Sequence, residues 1–176
     1  VDWNNLDILN KLYTIFQGTM DIKGKPATKP DLKRRSACTR IRLKIFPFFI
    51  KAREAANIFP SCIQVIFECL YGQNTNAKLK NMAVQFVHHV CLHCADNKFM
   101  PVAPVLLSGM IKLISEATDD GKLRNLAYVA VGKIVRRAPH LVKKDIALVQ
   151  KFFDAMCKED PETRLGVQES LSLMAD

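Results

Sequence analysis

Two stretches decide the fold: Lys80-Asn81-Met82-Ala83-Val84-Gln85-Phe86-Val87-His88-His89-Val90 and Arg124-Asn125-Leu126-Ala127-Tyr128-Val129-Ala130-Val131-Gly132-Lys133-Ile134. Set one above the other, 44 residues apart, each begins on a basic residue followed three, seven and ten positions later by apolar side chains: Ala83, Val87 and Val90, then Ala127, Val131 and Ile134. That spacing places the apolar groups on one face of a helix. The pattern extends outward. Arg40 leads Leu43, Pro47 and Ile50, and Arg164 leads Val167, Leu171 and Met174, so the four basic residues stand 40, 44 and 40 residues apart. A second series precedes each of these helices. Leu9, Tyr13 and Phe16 are followed by Ile63, Phe67 and Leu70, by Leu106, Met110 and Leu113, and by Val149, Phe153 and Met156.

A helix pair recurring every 40 to 44 residues is the period of HEAT and armadillo arrays, in which each unit buries its apolar stripe against its neighbours. The chain is therefore expected to be all-α, a right-handed α-solenoid of about four HEAT-like helical pairs. The repeats fall at about 1–57, 58–97, 98–138 and 139–176. The first helix spans Asn4 to Phe16, and residues 17–31, with Gly18, Gly24, Pro26 and Pro30, form a flexible loop. The next helix runs from about Leu32 to Phe46, and Pro47, which removes a backbone donor, is expected to kink or break it before a second piece reaches Asn57. Further helices are expected from Pro60 to Leu70, Asn76 to Cys94, Pro101 to Glu116, Asp120 to Arg137, Lys144 to Lys158 and Pro161 to Met174.

With 176 residues, 49% of them hydrophobic, 7 Gly and 8 Pro, the chain has the material for a sizeable core, which excludes disordered and fibrous classes. It begins at Val1 and reads as a slice of a longer array. No apolar run approaches the roughly 18 residues of a membrane helix, and no basic start leads into a signal segment, so a soluble chain without membrane insertion is expected. The six cysteines, Cys38, Cys62, Cys69, Cys91, Cys94 and Cys157, lie in apolar runs, as free thiols do in a reducing compartment.

The formal charge is +9, and Lys23 to Arg53 holds eleven basic residues against Asp31 alone. The excess therefore reads as one local basic region. On a helical wheel Lys33, Arg40, Lys44 and Lys51 form one ridge and Arg35, Arg42 and Arg53 another, with apolar groups on both sides between them. Lys33, Arg34, Arg35, Arg42 and Lys44 are the candidate partner-binding patch, suited to an acidic protein surface. A nucleic-acid partner is not expected, because no exposed aromatics or RNA-binding motif interleave with the charges. Arg40, Lys80, Arg124 and Arg164 read as a structural ladder. Asn74, Asp119 and Asp160 precede the last three by four to six residues, where turn hydrogen bonds would tie each pair together.

The segment His88-His89-Val90-Cys91-Leu92-His93-Cys94 contains a C-x-x-C, yet its residues are consecutive on one helix and face several directions. Structural zinc sites draw on ligand pairs separated by a loop, and redox C-x-x-C motifs follow a strand. Buried small hydrophobes and core-edge histidines are the expected roles, with no metal or cofactor. The glycines form no phosphate-binding loop, and no nucleophile elbow or His-Glu-x-x-His helix is present, so no catalytic residue is expected. Trp3 is expected to pack on a neighbouring repeat.

The chain as a whole resembles the proteasome adapter and scaffold family. The stretches that carry the resemblance are Asp2-Trp3-Asn4-Asn5, Thr39 to Lys44 with Pro47, Asn74-Thr75-Asn76 through Leu79, Gln85 to His89, Pro139-His140-Leu141, Lys144 to Gln150 and Pro161 to Leu165. The resemblance implies an interior segment toward the N-terminal part of a long HEAT-repeat protein. It also implies a noncatalytic role in the cytoplasm and nucleus: tethering or stabilising the proteasome core and regulatory particles and linking proteasomes to other machinery. Partners would then be the proteasome, proteins with acidic surfaces and neighbouring repeats of the same chain. A transport-receptor-like HEAT module is the alternative among binding proteins, and a metal-dependent or redox enzyme stands further off.

Overall fold

The computed structural model describes residues 4–17, 35–72, 75–144, 146–157 and 164–175, and among these every regular element is helical. The expected loop at 17–31 lies outside the described residues except for Gln17, as do Trp3, Asn74, Asp160 and Pro161. The chain divides into two compact units, Val1–Cys94 and Ala95–Asp176.

In the first unit, α1 (Leu6–Gln17) starts where the Asn5 side chain accepts hydrogen bonds from the amides of Asp7 at 2.9 Å and Ile8 at 3.4 Å. Its buried face is the expected one: Leu9, Tyr13 and Phe16. Next, α2 spans Arg35–Lys51. It does not break at Pro47. The proline is exposed while Phe46 and Phe49 are fully buried, so packing of the rings on either side holds the helix through a position that propensity alone disfavours. The break falls after Lys51, and α3 (Ala55–Ile58) and a 3-10 turn (Phe59–Cys62) lead to α4 (Ile63–Tyr71). At the end of α4 the Gly72 amide donates to the Glu68 carbonyl at 2.8 Å, and a Cβ at Gly72 would collide with that same oxygen. Asn76 caps α5 (Ala77–His93), accepting from the Leu79 amide at 2.8 Å.

α2 packs on α1 and on α5, and α5 also receives α3 and α4. Aromatic rings fill the junction. Tyr13 stacks on Phe49 with centroids 4.2 Å apart, Phe16 meets Phe46 edge-on at 4.9 Å, and Phe86 lies 5.7 Å from Phe49 and 6.0 Å from Phe59. Burying each such ring contributes about 1.5–3 kcal/mol.

The second unit comprises α6 (Asp96–Phe99), α7 (Ala103–Glu116), α8 (Gly121–Arg137), α9 (His140–Lys144), α10 (Ile146–Cys157) and α11 (Arg164–Ala175). Asp120 caps α8 by accepting from the Leu123 amide at 3.0 Å, 44 residues after the Asn76 cap and hence at the repeat period. α8 packs on α7 and α11, and α7 on α10.

The buried register follows the sequence alignment in α1, α5, α7 and α8 and departs from it in α2, α4, α10 and α11. Ala83, Val87, Val90, Ala127, Val131 and Ile134 are all buried, as are Leu106, Met110 and Leu113. Among the described residues of α2 the buried apolar ones are instead Ile45, Phe46 and Phe49; in α4, Ile66 and Cys69 join Leu70; in α10, Phe152 replaces Phe153, which is 47% exposed. In α11 Gly166 and Ser170 are buried and Leu171 is 41% exposed. The α11 shift has a steric cause. An added Cβ at Gly166 would lie 2.7 Å from the Asn125 Cα, and one at Gly132 would lie 2.8 Å from the Ser170 carbonyl oxygen. The two helices cross backbone against backbone, and small residues rather than the larger apolar ones face the crossing.

Candidate functional site

The candidate basic patch rests on α2, and the structure divides it. Lys33 and Arg34 lie outside the described residues, as does the side chain of Arg35. Lys44 is exposed, and with Arg40 and Lys51, also exposed, it forms the solvent-facing ridge read from the helical wheel. Arg42 belongs to the core instead. It is 9% exposed, its Nε donates to the Phe16 carbonyl at 2.9 Å, and its guanidinium lies 5.6 Å from the centre of the Phe16 ring. Its Nη2 stands 3.5 Å from a carboxylate oxygen of Glu68, which is half exposed. Four of the last carbonyls of any helix lack an intrahelical donor, and Arg42 supplies one to α1. Assigning Arg42 to a partner surface is thereby corrected. A wheel shows direction around one helix and not which ridge a neighbouring helix covers.

The ladder residues also separate. Arg124 donates from Nη1 to the Thr118 carbonyl at 3.1 Å, a backbone acceptor in the preceding turn and not the Asp119 side chain. Lys80 is half-buried, Arg40 is exposed, and the side chain of Arg164 lies outside the described residues. The acceptors that fix the turns are Asn76 and Asp120, whose side chains cap helix amides, so the periodic bond in these turns is a cap.

Within the His88 to Cys94 segment, Cys91 and Cys94 are buried thiols outside any disulfide and His89 points into the first unit, where its Nε2 meets the Ala52 carbonyl at 2.7 Å. His93 lies beside it, ring centroids 4.7 Å apart. Burial lowers the His89 pKa from its ordinary value, the Ala52 contact opposes that shift, and His93 reinforces it. Nearby, Tyr13 donates its hydroxyl to the Ala55 carbonyl at 2.8 Å, and burial holds its phenol well above the usual range. Burial also pushes the Cys62 and Cys69 thiols up to about 12, so both stay protonated. Ala52 and Ala55 flank the break between α2 and α3. The Ala52 carbonyl also accepts from the Ala55 amide at 3.2 Å, so His89 and Tyr13 add side-chain bonds that tie α5 and α1 to the two ends of this break. Among the described residues no group of three or more His, Cys, Asp or Glu converges as a metal site would.

An open groove of about 410 Å³ runs between α8 and α11, lined by Gly121, Lys122, Asn125, Leu126, Leu165 and Glu169 among others. Its described lining offers no His, Cys or Ser beside the one lysine and one glutamate.

Basic charge is not confined to one region. Residues 121–153 carry eight Lys and Arg against Asp145 alone, a second excess that the count over Lys23 to Arg53 leaves in the remainder. Its cations are interspersed with buried residues of α8, so no run of like charge marks it.

Comparison with known proteins places the chain. Residues 1–176 match the family described as "Proteasome component ECM29, N-terminal". The chain belongs to that family. It is 51% identical over 176 residues, 99% of its length, to the human proteasome adapter and scaffold protein ECM29, and 29% identical over 176 residues to the proteasome-associated protein ECM29 homolog of Drosophila melanogaster. It spans about a tenth of the length of these curated relatives. No solved structure matches it.

Proposed function

We propose that the chain is a noncatalytic scaffold segment of a proteasome-associated HEAT-repeat protein. In this reading its four helical pairs form part of a right-handed α-solenoid, and the whole protein tethers or stabilises the proteasome core and regulatory particles and links them to other machinery in the cytoplasm and nucleus. The observation that carries the reading is the 51% identity, sustained from end to end, to a protein named for adapter and scaffold roles. Helix contacts within each unit support the repeat arrangement: α2 on α5 and α8 on α11 each join the second helices of successive expected pairs, and α7 on α10 joins two first helices.

The exposed ridge of Arg40, Lys44 and Lys51, continued in sequence by Lys33, Arg34 and Arg35, is the surface offered to an acidic partner. Affinity capture of the full-length protein, scored for proteasome core and regulatory subunits against transport-receptor cargo, tests the function. Enrichment of both proteasome particles supports it. Enrichment of transport cargo without proteasome subunits replaces it with the transport-receptor reading.

A further inference from the structure

The second basic region has an exposed focus where α8 passes into α9. After α8, the Ala138 amide donates to the Ile134 carbonyl at 2.9 Å, and the Leu141 amide donates to the Ala138 carbonyl at 3.1 Å, closing a tight corner. Ala138 and Leu141 are buried at 0% and 5% exposure, anchoring the corner in the core. Residues on either side of and between them face solvent: Arg136, His140, Val142, Lys143 and Lys144 are all exposed, with Lys133 half-buried one turn back along α8. None of Lys133, Arg136, His140, Lys143 or Lys144 makes an ion pair among the described residues. Arg137 marks the contrast. It turns inward, its guanidinium 4.2 Å from the centre of the Phe99 ring and paired with Asp96, as a cation recruited for packing does.

Cations at helix C-termini offset the helix dipole, and that accounts for Arg136, Lys143 and Lys144 in part. It does not account for Lys133 within α8, nor for a group of cations that form no ion pair among the described residues and have Asp145 as the one acid between residues 121 and 153 of the sequence.

We infer that this corner is a second docking surface, made for an acidic segment of a partner protein that places one apolar side chain on Val142. Charge complementarity selects the acid, and Val142, 37% exposed and directly before Lys143 and Lys144 in sequence, gives an apolar contact that a phosphodiester backbone would leave unused. No Phe, Tyr or Trp lies between Lys133 and Lys144 to stack a base, so a peptide fits better than a nucleic acid. The surface is separate in sequence from the α2 ridge, and it stands or fails independently of the scaffold reading.

The test is fluorescence anisotropy of a labelled peptide of roughly ten residues, all Glu with a central Leu, titrated with the whole chain at low and moderate salt. The expected result is salt-sensitive binding that weakens about tenfold in the triple variant R136E/K143E/K144E and less than about threefold in K11E/K78E/K98E, which reverses three exposed lysines elsewhere. Replacing Leu by Glu in the peptide should also weaken binding to wild type. Should the glutamate reversal lower the melting temperature, R136Q/K143Q/K144Q is measured in its place. Equal weakening by both triple variants would reduce the effect to bulk charge and overturn the proposal. A single-stranded DNA of similar length that binds more tightly than the peptide and is lost with R136E/K143E/K144E would overturn it in favour of a nucleic-acid surface.

Discussion

Arg42 Nε donates to the Phe16 carbonyl at 2.9 Å, tying the body of α2 to the last turn of α1 across the 18–34 stretch of sequence that separates them. The bond is buried and charge-assisted, and it answers a carbonyl that α1 cannot satisfy itself. Arg42→Ala should therefore cost about 1.5–3 kcal/mol in urea unfolding. Lys44→Ala, two residues away but exposed, should stay within about 0.5 kcal/mol. Glu68→Gln should also change little, because the half-exposed carboxylate is screened by solvent. Equal effects of the Arg42 and Lys44 variants would return Arg42 to the surface patch.

Protonation of His89 should destabilise the first unit. Its folded pKa is lowered, so the unfolded chain takes up a proton near pH 6.5 while the folded chain resists. The contribution is complete above about pH 6.5 and is lost as pH falls from there toward the folded value. The Ala52 carbonyl and the Phe86 and His93 rings face His89, and among the described residues no carboxylate is paired with it to hold its charge. Thermal melts at pH 7.5 and 5.5 should show a smaller drop in His89→Gln than in wild type, and identical drops would contradict the assignment.

Thiol reactivity should follow burial. With Cys38 replaced by Ser, iodoacetamide at pH 8 should modify Cys157 in the native chain, whereas Cys62, Cys69, Cys91 and Cys94 should react only after denaturant is added. Peptide mass mapping reads this directly. Native-state labelling of Cys62 or Cys69 at the Cys157 rate would show that the aromatic core around Tyr13 opens readily.

Gly132→Ala puts a test on the α8 and α11 crossing. In an unobstructed helix the change stabilises by up to about 1 kcal/mol. Here the new Cβ meets the Ser170 carbonyl oxygen at 2.8 Å and its Cα at 2.9 Å, backbone atoms that cannot turn aside. A net loss of about 1–3 kcal/mol in chemical denaturation is expected, and a gain would mean that the two helices part easily.

Much of the fold was legible because repeats impose the same chemistry at a fixed distance. Asn76 and Asp120 cap α5 and α8 where the 44-residue period puts them, and the apolar series of those two helices is buried in full. Three features escaped for separate physical reasons. Pro47 suggested a break, yet Phe46 and Phe49 bury enough surface to carry α2 past it. The helices α3, α6 and α9, of four or five residues, are shorter than two turns and so leave no periodicity to read. The shifted face of α11 follows from Gly166 and Ser170 meeting α8, a close approach that hydrophobic matching overlooks because it scores size rather than fit.

The basic face of α2 was partly legible as well. Local charge excess pointed to Lys44 and Arg42 alike, and only tertiary packing separates the exposed lysine from the buried arginine. The corner at Arg136 to Lys144 was missed because its cations alternate with Ala138 and Leu141, which are buried, and form no uninterrupted run.

The scaffold role is tested most directly by salt-dependent capture of purified proteasome, core with regulatory particle, by the full-length protein carrying Lys33, Arg34, Arg35 and Lys44 reversed to Glu with Arg42 left intact. A basic docking surface on α2 predicts unchanged helical content and melting, together with capture at low salt that falls by about tenfold relative to wild type. Capture equal to wild type at low salt, with the fold intact, would contradict it.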